Sequence, residues 1–106
     1  MENQHRKIAG YRELSQQEID LMNRIKAKGS ELLELQAELV DMLKLQEVSK
    51  MTGMDQAPTS DASADAKAEF NRFHAAEPFR WAAIGKTDIQ TGIMALVRAV
   101  AQPAGV

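Results

Sequence analysis

An apolar stripe through the first half of the chain limits its fold more than any other feature of the sequence. The stripe repeats at steps of about three and four residues, the period of an α-helix, and its seam is formed by Leu21, Ile25, Leu32, Leu35, Leu39 and Met42. Ser15 and Glu18 precede it with the spacing of a capping box, in which each side chain accepts a hydrogen bond from a free backbone N–H group. We therefore predict a helix over about 15–49, roughly 50 Å long at 1.5 Å per residue.

This stripe is too wide for one neighbouring helix to cover. Further apolar residues extend it beyond the seam, namely Met22, Leu33, Val40 and Leu43. A chain of 106 residues buries only a limited fraction of its surface, and without cysteine it cannot gain stability from disulfides. We therefore expect the stripe to be buried against other chains.

The second half of the sequence predicts a return arm in two pieces. We predict a loop over about 51–63, where turn-forming residues replace periodicity, then a helix over about 64–76 and a last helix over about 78–101. The two helices are separated at Glu77-Pro78, since proline lacks a backbone N–H group and favours the first turn of a new helix. Gly85 and Gly92 would allow close approach of another helix. The predicted fold is all-α, a single domain formed by an antiparallel helical hairpin with a short N-terminal lead-in and a kinked return arm.

Composition and charge argue against several classes of protein. Only 5% of the residues are aromatic while 44% are hydrophobic, which favours helix packing over a β-sandwich. The net charge of −2 is unlike that of a protein that binds long nucleic acids, which is normally strongly basic. No apolar run approaches the ~18 residues of a membrane span, and residues 1–7 lack the apolar core of a signal peptide. We expect a cytoplasmic protein that binds neither long nucleic acid nor membrane.

The sequence offers little from which to build an active site or a metal site. His5 and His74 lie in different segments, and no cysteine can serve as a nucleophile. One helical face carries a row of glutamates without the Glu-x-x-His partners that a di-metal carboxylate site needs: Glu31, Glu34 and Glu38. We interpret His74 and Glu77 as a surface pair, and we expect no catalytic residue, no metal and no cofactor.

Positive charge is concentrated near the two ends of an otherwise acidic chain. Residues 1–30 carry six Lys or Arg against four Asp or Glu, and residues 78–106 carry three against one. These regions could hold a compact anion, or their charges could simply solvate helix faces. Tyr11 lies beside Arg12, so a base could stack on the ring while cations meet phosphate, although Tyr11 could instead pack the lead-in onto the first helix.

Two further places combine cations with unusual neighbours. Lys26 and Lys28 are followed by Gly29, and a glycine in mid-helix costs about 1 kcal/mol relative to alanine, so either another helix or a ligand should come close there. Arg80-Trp81 lies in the opening turn of the last helix, where free N–H groups and the helix dipole favour an anion. Trp81 could also belong to the core.

Two stretches of the chain resemble a known protein family. Residues 5–15 and 18–26 resemble the opening of the hairpin-domain sponge proteins of phages, and the first stretch begins His5-Arg6-Lys7-Ile8-Ala9-Gly10-Tyr11-Arg12. Residues 80–103, which begin Arg80-Trp81-Ala82-Ala83-Ile84-Gly85-Lys86-Thr87, resemble the end of the same proteins. Such sponge proteins counter the bacterial CBASS and Thoeris defences. The middle of the chain matches them only in its helical character.

The resemblance implies a homohexamer of helical hairpins that acts in the cytoplasm of the host cell. It would sequester cyclic dinucleotides such as cyclic GMP-AMP in pockets between protomers, and cyclic trinucleotides in separate pockets near the symmetry axis, without cleaving either. By position, Tyr11 would stack on a base and Lys26 would pair with a phosphate of the dinucleotide. Arg80, with Lys28 as a neighbour, would contact phosphate in the trinucleotide pocket. The short chain is closer to the anti-CBASS branch than to the anti-Thoeris branch, whose members bind cyclic ADP-ribose isomers.

Two other functions compete with this one. A structural or protein-binding helical oligomer would use the wide stripe to take a partner helix and would bind no nucleotide. A cyclic-nucleotide phosphodiesterase would need catalytic groups that the sequence does not offer.

Overall fold

The structure is a computed structural model that describes residues 12–105. It contains three α-helices, which are α1 (Gln16–Asp55), α2 (Ser60–Ala75) and α3 (Pro78–Ala101). No β-strand occurs between residues 12 and 105. The predicted all-α helical hairpin is confirmed.

The connection between α1 and α2 is much shorter than the sequence predicts. The predicted loop over 51–63 is wrong, because α1 continues to Asp55 and α2 begins at Ser60. Thr59 is the N-cap of α2, and its side chain accepts a hydrogen bond from the backbone N–H of Ala62 at 3.1 Å. Threonine, serine and aspartate favour helix N-termini as much as turns, so the same residues fit both interpretations.

The described residues form two compact units, and α1 and α3 each contribute to both. The first unit consists of residues 12–33 and 87–105, and the second is Glu34–Lys86. Each unit has its own packing between helices.

The second unit has a small core to which each of its three helices contributes one buried side chain. These are Leu43 of α1, Phe73 of α2 and Ala82 of α3. Val40 and Phe79 pack against them, and the rings of Phe73 and Phe79 meet edge to face with centroids 6.2 Å apart. This core holds the first turns of α3 against α1.

The junction between α2 and α3 depends on one residue with an unusual backbone conformation. Glu77 has a φ of 51°, in the left-handed region that residues other than glycine rarely adopt. Its carbonyl oxygen accepts a hydrogen bond from the N–H of Trp81 at 3.1 Å, which closes the first turn of α3. Pro78 then occupies the first helical position, where its missing N–H group removes no helical hydrogen bond.

In the first unit, α1 and α3 pack through Gly29, which is buried. A Cβ atom at this position would lie 2.6 Å from Cγ1 of Ile93 and closer still to Cδ1. The sequence left two explanations for Gly29, the close approach of another helix or of a ligand. The contact with Ile93 of α3 favours the first. Gly85 and Gly92 do not serve this purpose within residues 12–105, because a Cβ at either position would meet nothing within 4 Å.

Within residues 12–105, no helix is both long enough and apolar enough to cross a membrane.

We predict that Gly29→Ala lowers the free energy of unfolding by about 1–3 kcal/mol, because overpacking outweighs the helix propensity that alanine adds. The β-branched Ile93 has one strongly preferred χ1 rotamer in a helix and cannot easily turn Cγ1 away. Urea unfolding followed by circular dichroism, at a fixed protein concentration, measures the change.

The control is Gly53→Ala, since a Cβ at Gly53 would meet nothing within 4 Å of the described chain and alanine should not destabilise it. Combining Gly29→Ala with Ile93→Ala should cost less than the sum of the two single changes. A Gly29→Ala variant as stable as the wild type would show that α1 and α3 do not pack as described.

Candidate functional site

Arg12 joins the start of α1 to the end of α3 within the first unit. Its Nε atom donates a hydrogen bond to the carbonyl oxygen of Ala101 at 3.2 Å, and its Nη2 atom donates to that of Val100 at 2.7 Å. These are among the last carbonyls of α3, which have no partner within the helix, and a cation there is favoured by the helix dipole. The same guanidinium forms an ion pair with Glu18 in the first turn of α1.

Glu18 also belongs to the capping box that the sequence predicts. Its backbone N–H donates to the hydroxyl of Ser15 at 3.1 Å, and its carboxylate accepts from the backbone N–H of Ser15 at 2.9 Å. The hydrogen bond from Arg12, together with that from the Ser15 backbone, lowers the pKa of Glu18 to about 2. The chain therefore has a fixed geometry at residue 12. Tyr11, the predicted base-stacking residue, lies directly before it and outside the described residues.

The two lysines near Gly29 lie on different sides of α1. Lys26 and Lys28 are both exposed, and residues two apart on a helix do not face the same direction. Lys28 lies 3.4 Å from a carboxylate oxygen of Glu31, in a highly exposed pair that contributes little to stability. The two lysines therefore suit two separate contacts better than one shared site.

A groove of about 470 Å³ lies between α1 and α3 in the first unit. Its wall is apolar and its lining includes Leu21, Ile25, Gly29, Leu32, Ile89, Gly92, Ile93 and Leu96. Arg24, Lys28 and Asp88 are the charged residues in its lining. Most of this surface is apolar and suits the apolar face of a helix, while Arg24 and Lys28 are the cationic donors in its lining.

Arg80 lies in the first turn of α3 with its side chain on the surface. Its Nε atom is 3.4 Å from a carboxylate oxygen of Glu77, and its guanidinium lies 4.9 Å from the ring centroid of Trp81. Trp81 is 58% exposed. The alternative that Trp81 belongs to the core is therefore wrong for the described residues. The opening turn of α3 carries no acidic residue. An arginine, an exposed aromatic face and free helical N–H groups therefore occur together at this turn.

The predicted surface pair of His74 with Glu77 does not form. Nε2 of His74 lies 3.3 Å from Glu47 of α1, while Glu77 pairs with Arg80. Spacing along one helix could not reveal a partner on another. No group of three or more His, Asp or Glu residues in the described part of the chain is arranged to hold a metal ion.

Comparison with known proteins decides the family. The family model described as "Acb2/Tad1, hairpin domain" matches residues 4–101. The chain is also similar to "Anti-CBASS protein 2" of Pseudomonas phage JBD67, with 59% identity over 110 residues, covering 99% of each chain.

The chain belongs to the Acb2/Tad1 hairpin family.

This membership confirms the family predicted from residues 5–15, 18–26 and 80–103. The match to the Acb2/Tad1 hairpin model runs through the middle of the chain as well, including the segment that the sequence could match only in helical character. Arg12 is the residue whose contacts sequence reasoning missed. Its carbonyl partners lie 88 and 89 positions away, so no local pattern could indicate them.

We predict that Glu18 makes stability depend on acid pH. Its pKa is depressed from an ordinary 4.5 to about 2 in the folded protein, so its contribution is present above pH 4.5 and is lost as the pH falls towards 2. The difference in unfolding free energy between wild type and Glu18→Gln should be constant near neutral pH and shrink over that interval. Glutamine can keep the hydrogen bond from the Ser15 backbone through its amide oxygen, while it removes the charge and one of the two oxygens that accept from Arg12.

Chemical unfolding at a series of pH values checks this. Glu34→Gln is a matched control, since Glu34 is an exposed glutamate of the same helix for which residues 12–105 hold no ion-pair partner. The same acid dependence in wild type, Glu18→Gln and Glu34→Gln would contradict the assignment.

Proposed function

We propose that this protein is a sponge for cyclic oligonucleotide immune signals, which it sequesters without cleavage and thereby blocks a CBASS-type defence. The observation that carries the proposal is the full-length similarity, at 59% identity, to a phage protein named Anti-CBASS protein 2. A sponge needs binding surfaces and no catalytic groups. The exposed cations and the aromatic residues beside them supply such surfaces.

The proposed dinucleotide pocket combines residues from two protomers. Tyr11 stacks on a base and Lys26 pairs with a phosphate. Tyr11 directly precedes Arg12 in the sequence, and Arg12 is held at the end of α3. Lys26 lies further along α1, about 15 Å from Gln16 at 1.5 Å per residue. A compact ligand is therefore bridged more easily by Tyr11 of one protomer and Lys26 of another than by both from one chain.

The proposed trinucleotide pocket uses Arg80, with Lys28 as a neighbour. Arg80 is exposed in the opening turn of α3, and its contact with Glu77 is long enough for a phosphate to compete with it. In a symmetric assembly each such arginine is repeated, so one residue per chain surrounds a small anion with several positive charges.

The exposed apolar side chains support self-association, which we propose to give a homohexamer. In the second unit, Leu35, Leu39 and Met42 lie on one flank of α1, and Leu35 is 60% exposed. In the first unit the apolar groove is open. Apolar surface of this extent marks an interaction site, and further copies of the chain fit it because they carry the same apolar helices.

The same groove favours a second candidate, a protein-binding helical oligomer without a nucleotide ligand. Its wall would accept the apolar face of a partner helix. A protein of this kind would tolerate replacement of Tyr11 and Lys26, whereas a sponge would lose its ligand and stay folded.

We predict that calorimetric titration detects tight binding of cyclic GMP-AMP, and that Tyr11→Ala and Lys26→Ala each abolish it. Lys44→Ala is the matched control, since Lys44 is an exposed lysine of the same helix. Binding of a cyclic triadenylate should depend on Arg80 and not on Tyr11 or Lys26. Ligand recovered intact after denaturation of the complex would exclude a phosphodiesterase.

Mixing the two inactive variants tests the pocket between protomers. Co-refolded Tyr11→Ala and Lys26→Ala chains should regain roughly a quarter of the wild-type dinucleotide sites, because some mixed interfaces carry both intact residues. Absence of any recovery would place both residues in one chain.

In the calorimetric titration, no heat with either ligand would direct the search to cyclic ADP-ribose isomers. Failure of these isomers to bind would favour the protein-binding function.

We predict that Leu35→Lys dissociates the assembly, because a charge would be buried where partner copies cover the apolar flank of α1. Sedimentation velocity should show smaller species, with helical content retained. Ala37→Lys adds the same charge at an exposed position on another side of α1 and should leave the assembly intact. Equal sedimentation of both variants and the wild type would exclude this flank from the interface.

A further inference from the structure

Arg80 is held less firmly than another arginine of the second unit. Its Nε atom lies 3.4 Å from a carboxylate oxygen of Glu77, a distance too long for a good hydrogen bond. By contrast, Nε of Arg72 donates to both carboxylate oxygens of Glu69, at 2.9 and 3.1 Å. The guanidinium of Arg80 also lies over the exposed ring of Trp81, 4.9 Å from its centroid. Arg80 is therefore a cation that another anion can take from Glu77.

The carboxylate of Glu77 stays close to Arg80 because the backbone at residue 77 is fixed on both sides. The N–H group of Glu77 donates to the carbonyl oxygen of His74 at 3.1 Å, and its own carbonyl oxygen accepts from the N–H of Trp81 at 3.1 Å. Its φ of 51° lies in the left-handed region, which glycine and asparagine adopt more readily than glutamate does. The turn therefore does not require a glutamate, and the side chain of Glu77 is used in the ion pair with Arg80.

The charges at the start of α3 create a competition between two anions. The first turn of α3 carries no acidic residue, so its free N–H groups and Arg80 together attract an anion. Glu77 directly precedes this turn, and its carboxylate is an anion that is already in place. A phosphate that binds Arg80 must displace this carboxylate and then lies beside its negative charge.

We propose that Glu77 competes with the ligand for Arg80 in the proposed trinucleotide pocket, so that each phosphate must displace one carboxylate before it binds. The inference rests on the proposed function of Arg80 as the phosphate contact. In a symmetric assembly every Arg80 is accompanied by its own Glu77. A cyclic trinucleotide presents three phosphates at once and can displace several carboxylates together, whereas a separate small anion has no such advantage. The competition therefore favours ligands with several phosphates.

The test is calorimetric titration of the full chain with a cyclic triadenylate. Glu77→Gln keeps the length of the side chain and should tighten binding about two- to fivefold, the range expected for an exposed ion pair, while cyclic GMP-AMP affinity changes by less than about 1.5-fold. Glu34→Gln is the matched control, because it removes the same charge from another exposed glutamate of the second unit and should alter neither affinity. Sedimentation and circular dichroism should be unchanged for both variants.

Glu77→Asp separates direct competition from a general effect of negative charge. Aspartate keeps the charge but is shorter by one methylene group, so its carboxylate lies farther from Arg80 and the variant should show most of the gain of Glu77→Gln. Aspartate also tolerates the left-handed backbone, so the junction between α2 and α3 is kept. Affinity equal to that of the wild type would mean that the carboxylate acts through its charge alone, and the competition would be overturned.

Two other results would overturn the competition. The first is unchanged or weaker triadenylate binding by Glu77→Gln, and the second is an equal gain for cyclic GMP-AMP, which is proposed to bind through Lys26. If Glu77→Gln does not fold, Glu77→Gly removes the same carboxylate, suits the left-handed backbone and decides by the same criteria. Failure of the wild type and of every Glu77 variant to bind the triadenylate would instead refute the proposed trinucleotide pocket.

Discussion

Helix α1 carries apolar side chains on more of its circumference than α2 and α3 contact. In the second unit, Leu43 is buried against Phe73 and Ala82, while Leu35 and Met42 on a neighbouring flank of α1 stay exposed. A helix that is apolar on more than one face needs more than one neighbour. The packing between helices, the open groove and the proposed assembly are all related to this constraint, because residues 12–105 of one chain do not cover every apolar side chain of α1.

The helical architecture could be predicted because it depends on local patterns. The capping box of Ser15 with Glu18 needs only residues three apart, and the apolar period needs only one helix. The structure differs from the predicted loop around Thr59 because residue types that are common in loops are also common at helix N-termini. A sequence without its tertiary contacts does not distinguish these two uses.

The site was less predictable, since its geometry depends on residues distant in sequence. Arg12 looked like a cation available to a phosphate, yet its partners are carbonyls at the other end of the chain and the carboxylate of Glu18. His74 pairs across helices with Glu47 for the same reason. The roles of Tyr11 and Lys26 stay predictions, and the family membership supports them without testing the individual residues.

Two glycines inside α3 lower the stability of the isolated helix. Gly85 and Gly92 lie inside the helix, and a methyl group at either position would meet no atom of the described chain within 4 Å. Each glycine costs the isolated helix about 1 kcal/mol relative to alanine. In the proposed assembly, the missing side chains would let a helix of another copy approach the backbone of α3 closely at both positions. The close contact that Gly29 provides within one chain would then be repeated by Gly85 and Gly92 between chains.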